Sequence, residues 1–378
     1  MSRFSDLVSL PARDMGSYMP KAGPISTAEQ QAERLIKLDS NENPFGPSPR
    51  AIEAMRSALG AVSSYPDDEC NALRRRLATY HGICVDQVLV AAGSTAVLSL
   101  LCQTMLAPGS NAVTNQCSFI VYAMAVHATG ARLIETRLRN DGIDLDAILA
   151  AIDRDTRIVF LANPNNPTGT MHEASAIDRF LAAVPGHVVV VLDEAYYDFA
   201  QAFAGLRGVE YSRSVDYVRQ GASVVVLRTF SKVHGLAGLR VGYGLGPAEL
   251  LVYCARMRNT FSVSSVAQAA AAAALQDENY IRRVVANNVA QTQVLAEGLS
   301  GLGYRVIPTA ANFLCCDVAA DAQAFANRLR GEGVSIRPLG GWGAPTCIRV
   351  SIGTPEQNEI FLDAARRITG TTQRAARR

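Results

Sequence analysis

Short apolar runs recur along the chain at Gln87–Ala92, Asn111–Asn115, Ala131–Leu138, Arg157–Ala162, His187–Asp193, Ser223–Phe230 and Arg240–Leu245. They are apolar throughout rather than alternating, as expected of strands covered on both faces. Between most of them lie patterns of helical period, such as Thr95–Leu106 and Glu173–Ala183. Strands alternating with helices predict an α/β fold: a large domain with a mostly parallel seven-stranded sheet covered by helices.

The pattern changes towards the C-terminus. A long amphipathic helix is expected over Glu278–Leu299, with Ile281, Val284, Val285, Asn288, Val289, Val294 and Leu295 largely on one face. Shorter strands follow at Tyr304–Ile307, Asn312–Asp317, Val334–Arg337 and Cys347–Ile352, which read as a smaller α+β domain. Ala269–Leu275 reads as part of a buried helix. Ahead of the strands, residues 1–45 carry Pro11, Pro20 and Pro24 and form an irregular N-terminal arm. The proline-rich stretch that follows allows a helix to start at about Arg50. The expected division is therefore the arm at 1–45, a large domain at 46–265 and a small C-terminal domain at 266–378.

Composition narrows the function. With 49% hydrophobic and 19% charged residues, the 378-residue chain has the make-up of a soluble globular protein that can bury a large core. Its 36 basic and 34 acidic side chains nearly cancel, which argues against nucleic acid or an anionic membrane as partner. Arg374, Arg377 and Arg378 read as a solvated tail. No stretch approaches the ~18 apolar residues of a membrane helix. Eight cysteines are scattered without a Cys-x-x-Cys pair or a histidine at metal-ligand spacing, so no metal is expected and the thiols read as those of a reduced, cytoplasmic protein.

In an open parallel sheet, ligands bind beyond the carboxyl ends of the strands. Several strand ends here carry unusual residues. Gly93-Ser-Thr95 is a candidate phosphate cradle at a helix start, or a plain N-cap by Ser94 or Thr95. Asn163-Pro-Asn-Asn-Pro-Thr-Gly169 is a rigid polar loop whose turn formers explain the prolines and glycine but not three amide side chains. Asp193, closing an apolar strand, is costly to bury unless it meets a cation, although it could also cap the next segment. Lys232, at a strand end among small residues, can lose its charge and act as a nucleophilic amine, and Ser231 and Arg240 could hold a phosphate. Gly242-Tyr-Gly-Leu-Gly246 lacks dinucleotide-loop spacing and reads as close packing or a turn.

Together, Asn41-Glu-Asn-Pro-Phe-Gly-Pro-Ser-Pro49, Tyr65-Pro-Asp67, Gly93-Ser-Thr95, Asn163–Gly169, Asp193-Glu-Ala-Tyr196, Ser231-Lys232 with Arg240, and Cys347-Ile-Arg-Val-Ser-Ile-Gly353 resemble the fold-type I aminotransferases of class I/II. The histidinol-phosphate aminotransferase branch is the nearest. The resemblance implies pyridoxal 5′-phosphate carried as a Schiff base on Lys232, with Asp193 against the ring nitrogen. It implies that Asn166 and Tyr196 bond the ring's phenolate oxygen and that Phe119, where relatives commonly have Tyr, stacks on the ring. Ser94, Thr95, Ser231 and Arg240 would hold the phosphate, with Tyr65 reaching the neighbouring subunit's cofactor in a homodimer. Arg349 would bind the substrate carboxylate or the equivalent end of another substrate, and Arg337 and Tyr18 are further substrate candidates. The implied reactants are an amino donor and a 2-oxo acid, with histidinol phosphate and 2-oxoglutarate first (histidine biosynthesis). An aromatic amino acid, or decarboxylation of a phospho-amino acid, is the alternative.

Overall fold

The computed structural model describes residues 8, 9, 11, 12 and 35–376. The seven apolar runs become β1 (Val88–Ala91), β2 (Asn111–Asn115), β3 (Arg132–Thr136), β4 (Thr156–Ala162), β5 (Val189–Asp193), β6 (Val224–Thr229) and β7 (Gly242–Leu245). They form one sheet in the order β1-β7-β6-β5-β4-β2-β3. Every pairing is parallel except that β7 runs antiparallel to both β1 and β6. Alternate residues enter different cores. Val113, Val159, Val190 and Val226 pack on one side, and Ala112, Ile158, Phe160, Val191, Val225 and Leu227 on the other. This double burial explains the lack of polar alternation in the runs. The run from Arg240 is trimmed to Gly242 because Arg240 is left-handed, with φ 49°, and cannot join the ladder.

Five helices position the site. α1 (Pro49–Ala58) starts one residue before the expected Arg50; Ser48 Oγ accepts from Ala51 N at 3.2 Å, and proline fills the first helical turn. α2 (Ser94–Met105) and α3 (Val121–His127) follow β1 and β2, and α4 (Tyr197–Arg207) follows β5. α5 (Ser265–Ala274) buries Ala267, Ala270, Ala271 and Ala274 in the same core as Ala51 of α1, their small side chains permitting close approach.

A second, four-stranded sheet contains β8 (Arg305–Ile307), β9 (Phe313–Asp317), β10 (Arg337–Pro338) and β11 (Cys347–Ser351), in the antiparallel order β8-β9-β11-β10. The expected strand Val334–Arg337 is split. Val334–Ser335 pairs instead with Ile36–Lys37, so the expected irregular arm contains a strand. Pro338 has no N–H to donate, which suits β10 to the sheet edge. α6 (Glu278–Gly301) and α7 (Pro355–Ala376) cover this sheet, and Leu295, Leu299, Leu314, Val350 and Phe361 meet in its core. On α6, Val284, Asn288 and Leu295 are buried as expected, whereas Val294 is 45% exposed. The buried stripe runs instead through Tyr280, Val284, Asn288, Thr292, Leu295 and Leu299.

All eight cysteines are free thiols, six of them buried. Among the described residues, no helix is long and apolar enough to cross a membrane and no side-chain group could hold a metal ion.

Candidate active site

β6 ends just before Lys232, and the loop carries the lysine over the carboxyl edge of the sheet. Its Nζ donates to the backbone oxygens of Ser40 and Asn41, each at 3.2 Å. Burial pulls the ammonium down to about 8, and repulsion from Arg349 adds to this while Glu42 opposes it. A lysine so placed carries a substantial neutral, nucleophilic fraction near neutral pH.

Asp193 terminates the adjacent β5 and is buried. Tyr122 Oη donates to its Oδ2 at 2.9 Å and Ala195 N donates to its Oδ1 at 3.2 Å. Burial pushes this carboxyl up to about 6, against those two hydrogen bonds. Asp193 thus does cap the next turn, as one reading allowed. Both donors are uncharged, and the Lys232 charge adds only a weak attraction to the carboxylate.

The loop Asn163–Gly169 divides its amides between two tasks. Asn163 Oδ1 accepts from His172 N at 2.8 Å and its Nδ2 donates to His172 O at 3.0 Å. Asn165 Nδ2 donates to Cys117 O and Thr168 Oγ1. These two hold the loop, whose Asn163–Pro164 and Asn166–Pro167 bonds are cis. Asn166 alone turns towards the second sheet, where its Oδ1 accepts from Arg349 Nη1 at 2.7 Å. Arg349 sits on β11, donates through Nη2 to Asp39 O at 2.8 Å, and leaves its buried Nε without a partner. Burial pulls its guanidinium below the ordinary arginine value. Tyr196 is also buried; Asn41 Nδ2 donates to its hydroxyl at 3.0 Å, and Lys232 Nζ lies 5.7 Å from its ring centre.

The start of α2 meets Arg240 and β7. Gly93 has φ +88°, and a Cβ there would lie 2.8 Å from Arg240 Nη2. A Cβ on Gly242 would lie 2.3 Å from Ser94 N, so the expected close packing at this glycine is real. The Arg240 guanidinium therefore rests against the amide end of α2, with Nη1 3.5 Å from Ser231 Oγ and 2.9 Å from Ala237 O. Neither Ser94 nor Thr95 is the cap residue. Gly93 holds that position, and no side chain occupies the free amides of the first turn.

The sequence profile of the family "Aminotransferase class I and II" matches residues 33–364. The chain belongs to this family. It is similar to histidinol-phosphate aminotransferase 2 of Pseudomonas aeruginosa, with 43% identity over 371 residues, 96% of this chain and 98% of that one. To the histidinol-phosphate aminotransferase of Moorella thermoacetica it is 40% identical over 354 residues, 93% and 90% of the two chains. The crystal structure of histidinol-phosphate aminotransferase from Sinorhizobium meliloti in complex with pyridoxal-5′-phosphate superposes with a TM-score of 0.87 at 28% identity, covering 98% of this chain and 99% of that one.

The other candidates of this aminotransferase are placed less centrally. Phe119 is half-buried beside Tyr122, edge-to-face with ring centres 5.7 Å apart. Arg337 Nε points at Asp39 O at 3.4 Å, and its charge faces the Asp39 carboxyl. Burial pushes that carboxyl up, but hydrogen bonds from Ser335 and Ser40, with the Arg337 and Arg349 charges, hold it below its ordinary value. Tyr65 is 83% exposed and stacks on Phe261 rather than joining the cluster. Tyr18 lies outside the described residues. Three further residues bond the candidates without a site role legible in the sequence: Asp39 to Arg349, Asn41 to Tyr196 and Tyr122 to Asp193. Tyr122 stands one helical turn after Phe119, the only local signal for it. Asn41 was visible as part of a motif, but nothing local shows it bonding Tyr196.

Proposed function

We propose that this chain is a pyridoxal 5′-phosphate-dependent histidinol-phosphate aminotransferase that uses 2-oxoglutarate as amino acceptor. The observation that carries the reading is the Lys232 amine and the buried Asp193 carboxylate, whose hydrogen-bond donors are both uncharged, with Arg240 against the open amide end of α2. These features fit the cofactor. Lys232 would bond its carbonyl carbon, Asp193 would oppose its ring N–H, and Ser94, Thr95, Ser231 and Arg240 would hold its phosphate. Phe119 would pack on the ring. When bound, pyridoxal phosphate supplies an electron-withdrawing ring that stabilises negative charge at the substrate Cα.

The chain's own residues do the rest. Lys232 Nζ would take the proton from the substrate Cα. Asn166 Oδ1 is occupied by Arg349, so its amide N–H groups are the ones it offers to the phenolate oxygen. Asn41 donates to the Tyr196 hydroxyl, which leaves that hydroxyl's own hydrogen for the same oxygen. Arg349, with its unpaired buried Nε, receives the polar end of the substrate, and Arg337 and Tyr18 extend that subsite. Asn41 bonds both Tyr196 and Ser351, so the site is shared by the two units, and α5, although it runs beyond 265, packs in the core of the large one.

A homodimer of the cytoplasm completes the reading. Leu59, Val62, Tyr65, Val252, Tyr253, Met257 and Phe261 are exposed, and the Tyr65–Phe261 stack joins the two segments that carry them. The test is an assay with purified protein and added cofactor. Turnover of histidinol phosphate with 2-oxoglutarate is expected. Turnover of phenylalanine or tyrosine alone would move the substrate to aromatic amino acids, and carbon dioxide release without demand for an oxo acid would make the chain a decarboxylase.

A further inference from the structure

We propose that Tyr122 is a positioning residue that keeps Asp193 ionised and aimed at the ring nitrogen of the cofactor; this rests on the reading above. The tyrosine is 1% exposed. Its ring is stacked on Phe160 of β4, with centres 4.8 Å apart and planes at 7°, and is met edge-on by Phe119. Apolar contacts therefore fix the ring, and the hydroxyl hydrogen goes to Asp193 Oδ2 at 2.9 Å.

A buried phenol without a partner is costly, and a bond to a carboxylate is stronger than one between neutral groups. Together with Ala195 N on Oδ1, the Tyr122 bond fixes both carboxylate oxygens with respect to the end of β5. The charged surroundings are otherwise unhelpful. Glu194 repels the carboxylate, burial favours its neutral form, and the charge of Lys232 is the weakest of the named influences. Tyr196 and Tyr211 are the other phenols that face it electrostatically. The Tyr122 hydrogen bond is the largest influence favouring the ionised form. Without it the carboxyl would hold a proton more readily and attract a ring N–H cation less.

A tyrosine that merely filled space would support any ligand of this shape equally. The experiment compares two probes by equilibrium dialysis: pyridoxal 5′-phosphate, and its 1-deaza analogue, in which carbon replaces the ring nitrogen. Tyr122→Phe is expected to weaken the first by about tenfold, the loss of one hydrogen bond to a charged group, and to leave the second unchanged. Tyr122→His, which restores a ring donor, should recover part of the difference. Equal losses on both probes, or no loss on either, overturn the role of Tyr122. Failure of the unmodified chain to bind pyridoxal phosphate is the distinct result that sinks the underlying reading.

Discussion

Lys232 and Asp193 show how burial converts common side chains into specific ones. The Lys232 amine is reactive only when neutral, and its folded value of about 8 lies well below the ordinary 10.5. Capture of added pyridoxal phosphate by the ligand-free protein should therefore accelerate about tenfold per pH unit below pH 8 and flatten above it. Stopped-flow absorbance reads this directly, and Lys232→Ala should abolish the borohydride-fixed adduct. Asp193 works in the opposite sense. Its folded value of about 6 exceeds the ordinary 3.8, so the folded chain holds this proton more tightly than the unfolded one. Ligand-free stability from this group is greatest below pH 3.8 and falls as pH rises to 6. Asp193→Asn, which removes the charge, should stabilise the ligand-free protein at pH 7 by roughly 1–3 kcal/mol while weakening cofactor binding. Denaturant titrations at pH 7 and pH 4 test the sign, because the gain should shrink at the lower pH.

At the scale of elements, contacts between strand ends and helix starts hold the site open to a ligand. Gly242 brings β7 against the first amide of α2, and an added Cβ would meet backbone at 2.3 Å. Backbone cannot swing aside as a side chain can. Gly242→Ala should cost about 1–3 kcal/mol in a denaturant melt and weaken phosphate holding with it. β5 and β6 are tied beyond their ladder by a buried ion pair, with Arg228 Nε and Nη2 at 3.1 and 2.9 Å from Glu194 Oε2. Ser214 adds a hydrogen bond to the same oxygen at 2.8 Å, and the guanidinium lies over the Tyr197 ring at 3.4 Å. Glu194→Ala strands a buried cation and should lower stability by about 3–5 kcal/mol, read by urea unfolding.

At the scale of the whole molecule, the site depends on parts that are remote in sequence. Arg349 on the small sheet reaches Asn166 in the loop that follows β4, and Asn41 joins Ser351 of the small sheet to Tyr196. Tyr65, in contrast, faces away from its own cluster. If it serves a neighbouring subunit, a mixed dimer of Lys232→Ala and Tyr65→Ala protomers should recover one intact site that neither parent dimer has. Co-expression with two affinity tags and a cofactor-binding measurement test this. Recovery to no more than the better parent would place Tyr65 outside the partner's site.

Local chemistry in the sequence determined the strands, the family, the Lys232 and Asp193 pair, and the glycine turn into α2. Each of these is written within a few residues, as an apolar run that ends in one polar group. The sequence could not separate the amides that hold the loop Asn163–Gly169 from the one that leaves it. That distinction depends on which amide faces Arg349, far along the chain. Nor could it reveal that Val334–Arg337 serves two sheets or that Val294 faces outward, because pairing partners and helix rotation follow from packing. Tyr122 is the clearest case. Read locally it is an aromatic residue on a short helix, and only the fold brings its hydroxyl to the carboxylate that closes β5. Periodicity reports which residues are buried, whereas a hydrogen bond between distant segments exists only once the elements have packed.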